Sequence, residues 1–324
     1  MAASIFNTSR SFHLVFSNGL KKKYFLGGQV YRTTKCKSSN IDIIKHEFQQ
    51  QAVTFERDWS ARSFLATDRI MKWAIENMRW EHGEKIYSGI ELRKEFPGYC
   101  LDVACGTGIF ARSLAKEFPE AYVVGLDGTK EMLEQAKITT ELAKLKIQFL
   151  QGDAVALPFE ENSFDLVVCR LAVHHFSQPQ MVLKEMARVC KVGGRVVLVD
   201  IIAPHEATND QNEWDRLENL RDPSHTKMLT VSGLERLLLG TEQLLLYEPT
   251  AEPLQNVMNL NKWMASTNTP PSNALEIVKK MEEELTAKTR TYFSGFQPFY
   301  LLGEQGQKEI HFIHNYVCVK AVKK

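Results

Sequence analysis

Leu101-Asp102-Val103-Ala104-Cys105-Gly106-Thr107-Gly108 is the stretch whose reading decides the fold. Apolar residues run into two glycines one residue apart, and helix-forming residues follow from Ile109. A strand, a glycine-rich turn and a helix in that order let the backbone approach a ligand where any side chain would collide. Taken alone, Gly106-x-Gly108-x-x-Ala111 also fits a nicotinamide or flavin site, or a tight turn with no ligand. Asp102 adds a constraint. It stands in the strand end, four residues before the first glycine, where a dinucleotide fold usually has an apolar residue. A buried carboxylate there is costly unless it accepts hydrogen bonds, from the loop amides or from the ammonium of a ligand.

Outward from this turn, strand-like and helix-like segments alternate, the pattern of a parallel sheet with helices on both faces. Strands are expected at Tyr99 to Ala104, Tyr122 to Leu126, Ile147 to Leu150, Phe164 to Cys169, Arg195 to Ile202 and Gln243 to Tyr247, with a last one at His311 to Val322. Helices are expected at Ile109 to Glu117, Lys130 to Leu145, Pro179 to Cys190 and Val231 to Leu239, the third ending in a turn at Gly193-Gly194. Residues 205–230 and 249–306 interrupt the alternation, and both look helical. Each follows a strand, the side on which open α/β sheets bind ligands, so both are placed to cap a substrate. Upstream, Phe64, Met71, Ile75 and Met78 recur at helical spacing, so Ser60 to Arg79 is expected to pack on the main domain as an amphipathic helix. That organisation gives a helical segment at 42–98 and a ligand-binding domain at 99–324.

Further residues sharpen the ligand. Asp127, followed by Gly128, ends the second strand, where an acidic residue accepts ribose hydroxyls. After the third strand come Gln151-Gly152-Asp153-Ala154 and then Leu157-Pro158-Phe159; Asp153 is placed to accept from an adenine amino group, with a neighbouring amide donating to the ring. The ordered set Asp102 to Gly108, Gly125-Leu126-Asp127, Gly152-Asp153 to Pro158-Phe159, and Glu185-Met186-Ala187-Arg188-Val189 to Gly193-Gly194 resembles the class I S-adenosylmethionine-dependent methyltransferases. Within them it resembles the broad family that includes the ubiquinone/menaquinone C-methyltransferases, over about Tyr99 to Pro204. The resemblance implies a Rossmann-like fold: a mixed, mostly parallel seven-stranded sheet with helices on both faces and helical cap insertions. It implies S-adenosylmethionine as cofactor, with Asp102, Ala104, Gly106, Gly108, Asp127, Gly128, Asp153, Ala154 and Arg170 around it. The chain departs from the quinone enzymes in two places. No Tyr-Asp-x-Met-Asn block lies between Gln50 and Trp80, and Asp200-Ile201-Ile202 stands where they have Glu-x-Ser.

A sulfonium carries its own leaving group, so the protein must align a nucleophile with it and exclude water. A base is needed only where the nucleophile loses a proton. His174 and His175 follow the fourth strand and are candidates for that base; packing beside Phe176 is the competing role. Arg221 and His225, with Asp222, form a candidate substrate-facing cluster, against the alternative of a solvated Asp-Pro-Ser turn. Trp59, Trp73, Trp214 and Trp263 are candidates for the cavity wall or for core.

The acceptor is expected to be a quinone-like, phenolic or amine metabolite. A net charge of +1 gives no reason to expect a nucleic-acid partner, and no apolar run approaches the roughly 20 residues of a spanning helix. The six cysteines lie far apart with no C-x-x-C, which suits buried reduced thiols rather than a zinc site. Residues 1–41 contain no Asp or Glu but carry Arg10, Lys21, Lys22, Lys23, Arg32, Lys35 and Lys37, the composition of a disordered transit peptide to a plastid or mitochondrion. Two rival functions are an organelle assembly factor that keeps the fold without turnover, and a nicotinamide oxidoreductase. Asp102 and Gly152-Asp153 speak against the second.

Overall fold

The computed structural model describes residues 23–26, 29–32, 42–49, 51–52, 71, 79–82, 85–88, 94–203, 209–246, 254–287 and 296–324. Two antiparallel hairpins come first, β1 (Lys23–Leu26) with β2 (Gln29–Arg32) and β3 (Arg79–His82) with β4 (Lys85–Ser88). The first hairpin falls within residues 1–41, expected to be disordered, and so overturns that expectation at 23–26 and 29–32; the remainder of that segment lies outside the described residues. So does most of the helix expected over Ser60 to Arg79, of which Met71 is helical and Arg79 already begins a strand.

The main sheet is built from β5 (Tyr99–Val103), β6 (Tyr122–Asp127), β7 (Ile147–Gln151), β8 (Phe164–Arg170), β9 (Cys190–Ile201), β10 (Leu244–Leu246) and β13 (Lys308–Lys323), in the order β10-β13-β9-β8-β5-β6-β7. Strands β5 to β9 pair in parallel and β13 runs antiparallel to β9 and β10. Buried parallel strands need apolar residues on both faces, and Val196 to Ile201 is buried without a break. Helices α1 (Ile109–Glu117), α2 (Lys130–Leu142), α3 (Pro179–Val189) and α5 (Val231–Leu239) carry the crossovers. Helix α1 buries Phe110, Ala111, Leu114 and Ala115, a single face at helical spacing. Helix α5 starts where the Thr230 hydroxyl accepts from the Gly233 amide at 3.0 Å, a cap of about 1 kcal/mol. Two apolar clusters flank the sheet, one around Leu101, Val167 and Leu198 and the other around Phe110, Leu114 and Val197.

Two expectations need correction. Helix α3 stops at Val189, and the chain pairs as strand from Cys190, with a bulge before Arg195 in which Gly193 takes a φ of 77°. Segment 249–306 is not all helix. It enters as β11 (Leu254–Asn259) and leaves as β12 (Phe299–Leu302), both antiparallel to the first half of β13. The sixteen-residue β13 thus outruns the seven-stranded sheet, and its extra length recruits two strands that close the cap. Between them lie α6 (Leu260–Ala265) and α7 (Pro271–Thr286), while 205–230 holds α4 (Asn209–Arg221). Trp214, Trp263, Phe296 and Phe312 pack as a third apolar cluster under this cap, with Trp214 stacked on Phe296 at 4.1 Å. Five cysteines are buried free thiols among the described residues.

Candidate active site

The order of the sheet reverses between β5 and β8, and a cleft opens at the carboxyl ends of those strands, where this topology binds ligands. It encloses about 950 Å³, part of it open to solvent. Ala104, Gly106, Asp127, Gly128, Asp153, Ala154 and Arg170 line it. Asp102 and Gly108 do not: Asp102 lies beneath the turn, 1% exposed, and Gly108 shapes the turn from behind. With a φ of 77°, Gly108 would bring a Cβ to 2.9 Å from the Phe149 ring. At Gly106, with a φ of 53°, a Cβ would meet no protein atom within 4 Å. Ala104 and Leu171 hold left-handed φ values of 56° and 52° at the same cleft, strain of about 1–3 kcal/mol each that the surrounding fold imposes.

Three carboxylates face or underlie this cleft. Asp127 ties the turn to β6, its two oxygens accepting from the Gly106 and Thr129 amides at 2.8 Å each. Burial raises the Asp127 carboxyl in spite of those bonds. Asp153 accepts from the Val155 amide at 3.2 Å. Burial pushes Asp102 up to about 7, a rise that the Arg170 charge and a bond from the Ala111 amide only partly offset, and its Oδ2 has no hydrogen-bond partner. S-adenosylmethionine fits these residues. The unpartnered Asp102 Oδ2 beneath the turn favours a cation or a donor nearby, Gly106 leaves open the space a Cβ would fill, and the Asp127 carboxylate lines the cleft where a diol would lie.

The motif around Glu185 has a mechanical role. Its carboxylate accepts from the Leu157 amide at 2.8 Å and holds Arg188, whose guanidinium donates to the carbonyls of Phe159 (2.8 Å) and Leu157 (3.0 Å). This clamp fixes the loop after β7 that carries Asp153 and Ala154.

Beyond the cleft lies a second chamber of about 610 Å³, part of it open to solvent, under the cap. Phe48, Ile109, Arg170, Leu171 and His175 border both cavities. Ile44 and Phe48, on the helical residues 42–49, wall the cofactor cleft, and Phe48 meets the His175 ring edge-on at 5.1 Å.

Both candidate histidines lie in a buried 3₁₀ turn, Val173–His175. His174 Nδ1 donates to Asp200 Oδ1 at 2.5 Å, and the His174 amide donates to Asp200 Oδ2 at 3.1 Å. Burial pulls His174 down, but the Asp200 carboxylate outweighs it and leaves this imidazole more basic than usual. His175 Nδ1 lies 2.9 Å from the Ser224 hydroxyl, which donates to Asp222 Oδ1 at 2.5 Å. Burial, and then the neighbouring His174, hold His175 well below the usual histidine range, so it stays neutral. Asp222, Ser224 and His225 are buried, which rules out the solvated-turn alternative.

Of the two candidate substrate residues, Arg221 lines the chamber and His225 does not. His225 Nε2 is 2.8 Å from Asp215, which also accepts from the Met228 amide, so His225 braces the cap from behind. Trp263 lines the chamber, Trp214 is core, and Trp59 and Trp73 lie outside the described residues. Sequence reading missed Phe48 and Gln51, although apolar Ile44, Phe48 and Ala52 recur at helical spacing, and it missed His314 and Tyr316, which share the buried face of β13 with Phe312.

Residues 101–198 match the family described as "Methyltransferase domain". The chain is 34% identical over 182 residues to the "Uncharacterized methyltransferase YcgJ" of Bacillus subtilis, covering 55% of this chain and 68% of that protein. The crystal structure of YcgJ superposes with a TM-score of 0.60 at 29% identity, over 70% of this chain and 92% of that one. A demethylmenaquinone methyltransferase of Lactococcus lactis is 45% identical over 106 residues, 32% of this chain and 42% of that protein.

Proposed function

Because the chain belongs to the class I S-adenosylmethionine-dependent methyltransferases, we propose that it methylates a small metabolite held in the chamber under the cap. The acceptor is a quinone-like, phenolic or amine compound. The observation that carries this reading is the shared wall: His175, Arg170 and Leu171 border the cofactor cleft on one side and the acceptor chamber on the other. When bound, the cofactor supplies an electrophilic methyl group on a sulfonium. The chain's own residues position, dry and deprotonate.

Asp127 and Asp153 would hold the nucleoside portion and the turn amides the charged amino-acid portion, with the Asp102 carboxyl beneath the turn acting through it. Ile44 and Phe48 cover the cleft and exclude water, which strengthens every charge interaction within it. Asp200 fixes the His174 tautomer with Nδ1–H toward the carboxylate. His174 Nε2 then receives the proton from the acceptor's nucleophile. The Ser224–Asp222 relay orients His175 as a neutral wall of the passage.

The test is to incubate the full chain with a methyl-labelled donor and a panel of quinols, phenols and amines. Label transfer to at least one acceptor, reduced by Asp200→Asn, is expected. A protein that binds the nucleotide yet transfers nothing to any of the three classes would favour the scaffold function instead. Residues 1–41 are proposed to direct the chain to an organelle. A fluorescent fusion that stays cytosolic would overturn that.

A further inference from the structure

The floor of the acceptor chamber carries a polar chain that takes no part in the transfer to His174. Tyr316 and His314 on β13, Ile201 on β9 and Arg170 on β8 all line the chamber. Register sets Arg170 opposite Val199, Val199 opposite Cys318 and Ile201 opposite Tyr316. These side chains therefore stand on one face of the sheet, the face that packs against α1. Arg170, whose charge reaches Tyr316, also borders the cofactor cleft, which sets Tyr316 toward the passage between the cavities.

The hydrogens in this chain can be placed one by one. The Tyr316 hydroxyl lies 3.0 Å from His314 Nδ1, and His314 Nε2 faces Oε1 of the fully buried Glu218 at 3.3 Å, a charge contact outside hydrogen-bond alignment. Burial would raise Glu218, but Arg221, at 2.9 Å, and then His314 hold it well below the usual carboxylate range, so it is an anion. Burial keeps His314 below the usual histidine range in spite of that anion, so the ring is neutral. Its one hydrogen belongs on Nε2, because the other tautomer would set a lone pair against the carboxylate. Nδ1 is then an acceptor, and the Tyr316 hydroxyl donates to it. Burial pushes the phenol up to about 12, so Tyr316 keeps its single hydrogen and spends it on His314, while the Asn256 side chain donates to the same oxygen. What Tyr316 can offer the chamber is an acceptor and no donor. Core packing does not account for such a chain, since apolar side chains of similar volume would hold the cap as well or better than a buried carboxylate, imidazole and phenol.

We propose that Tyr316, oriented by His314 and Glu218, accepts a hydrogen bond from a hydroxyl or N–H of the methyl acceptor and so determines which molecules the chamber takes. This rests on the acceptor-chamber reading above and narrows it. With Nδ1–H turned to Asp200, His174 also presents an acceptor, Nε2. The chamber thus selects a molecule with two donors, one that gives its proton to His174 and one that keeps its hydrogen on Tyr316. A molecule whose second group is an ether gives Tyr316 nothing to accept, and a site built around a hydrogen bond discriminates strongly against a ligand that cannot make it. Tyr316 would touch the substrate; His314 and Glu218 position it.

Calorimetric titration of the full chain at pH 7 with catechol, resorcinol and hydroquinone, and with the monomethyl ether of each, tests this with and without saturating S-adenosylhomocysteine. Each pair shares a ring and one hydroxyl, and the three spacings sample where the second donor must lie. At least one diol should bind about tenfold more tightly than its ether, a difference of about 1.4 kcal/mol. Tyr316→Phe should weaken that diol by about tenfold and leave its ether unchanged, so the preference vanishes. A merely structural Tyr316 would lower the melting temperature and leave the ratio alone. His314→Leu releases the Tyr316 hydrogen to turn toward the chamber, and the ether should then gain on the diol. Thermal melting and S-adenosylhomocysteine affinity show whether each variant is folded, and Tyr316→Phe decides the matter if His314→Leu does not fold. Every ether binding as tightly as its diol overturns the proposal. So does a preference that survives in folded Tyr316→Phe, an unmoved ratio in folded His314→Leu, or no diol binding at millimolar concentration. Failure of S-adenosylhomocysteine to bind would count against the methyltransferase reading, a separate outcome, since the nucleotide-free titrations still judge Tyr316.

Discussion

Replacing Asp102 with asparagine should stabilise the nucleotide-free protein at alkaline pH while weakening its hold on the cofactor. The carboxyl is displaced from an ordinary 3.8 to about 7 by burial beneath the glycine turn. An aspartate raised in the fold keeps its proton longer in the native than in the unfolded state. Native stability therefore falls as pH climbs from about 4 to about 7, then levels. At 1.36 kcal/mol per pH unit, the full cost above pH 7 is about 4 kcal/mol. Asparagine carries no charge and escapes that cost, but its amide replaces the orphaned Oδ2 and lacks an acceptor, which costs about 1–3 kcal/mol at every pH. The net expectation is a gain of roughly 1–3 kcal/mol at pH 8 and no gain at pH 4.5. The informative quantity is the change between the two pH values, about 3 kcal/mol, because the amide cost cancels in it. Urea unfolding of wild type and Asp102→Asn at both pH values measures it. Titration with S-adenosylmethionine should show affinity lower by about tenfold, because the turn loses the carboxyl that lies beneath it. A stability difference that is the same at pH 4.5 and pH 8, or unchanged nucleotide affinity, would refute this reasoning.

Gly106→Ala should cost about 1–2 kcal/mol of stability, from the left-handed φ of 53°, and more in nucleotide affinity, because its Cβ enters the cleft; calorimetry showing wild-type affinity would contradict this. Asp200→Asn should move the acid limb of the kcat/KM profile to lower pH. His174 must be neutral to take a proton, and loss of the Asp200 charge removes the chief cause of its raised pKa. An unmoved limb would remove His174 from the proposed role. Arg188→Ala frees the loop carrying Asp153, and nucleotide affinity should fall about tenfold with Asp127 untouched; an affinity within twofold of wild type would show that the clamp is dispensable.

The cofactor half of the site was legible in sequence because its chemistry is local. Gly106 and Gly108 are demanded by positive φ and close approach, and Asp127 and Asp153 each end a strand or begin the loop after it. The proposed acceptor half is assembled from distant elements and carries no comparable local signal. Asp200 was noticed as a departure from the Glu-x-Ser pattern, yet its partner His174 is 26 positions away, across β8 and β9. His225 looked like a substrate ligand because it sits beside Arg221, but the buried turn points it back at Asp215. Strand β11, Leu-Gln-Asn-Val-Met-Asn, contains one β-branched residue, so nothing local announces it. It is a strand because the long β13 offers it an edge.

The central claim is that the cleft over Gly106 and Asp127 holds S-adenosylmethionine. Titration of the full chain with S-adenosylmethionine, S-adenosylhomocysteine and NADH, repeated on Asp127→Ala, tests it most directly. Saturable binding of both sulfur nucleotides, lost in the variant, with none for NADH, is the predicted result. A folded wild-type protein that binds neither sulfur nucleotide, or that binds NADH in their place, would contradict it.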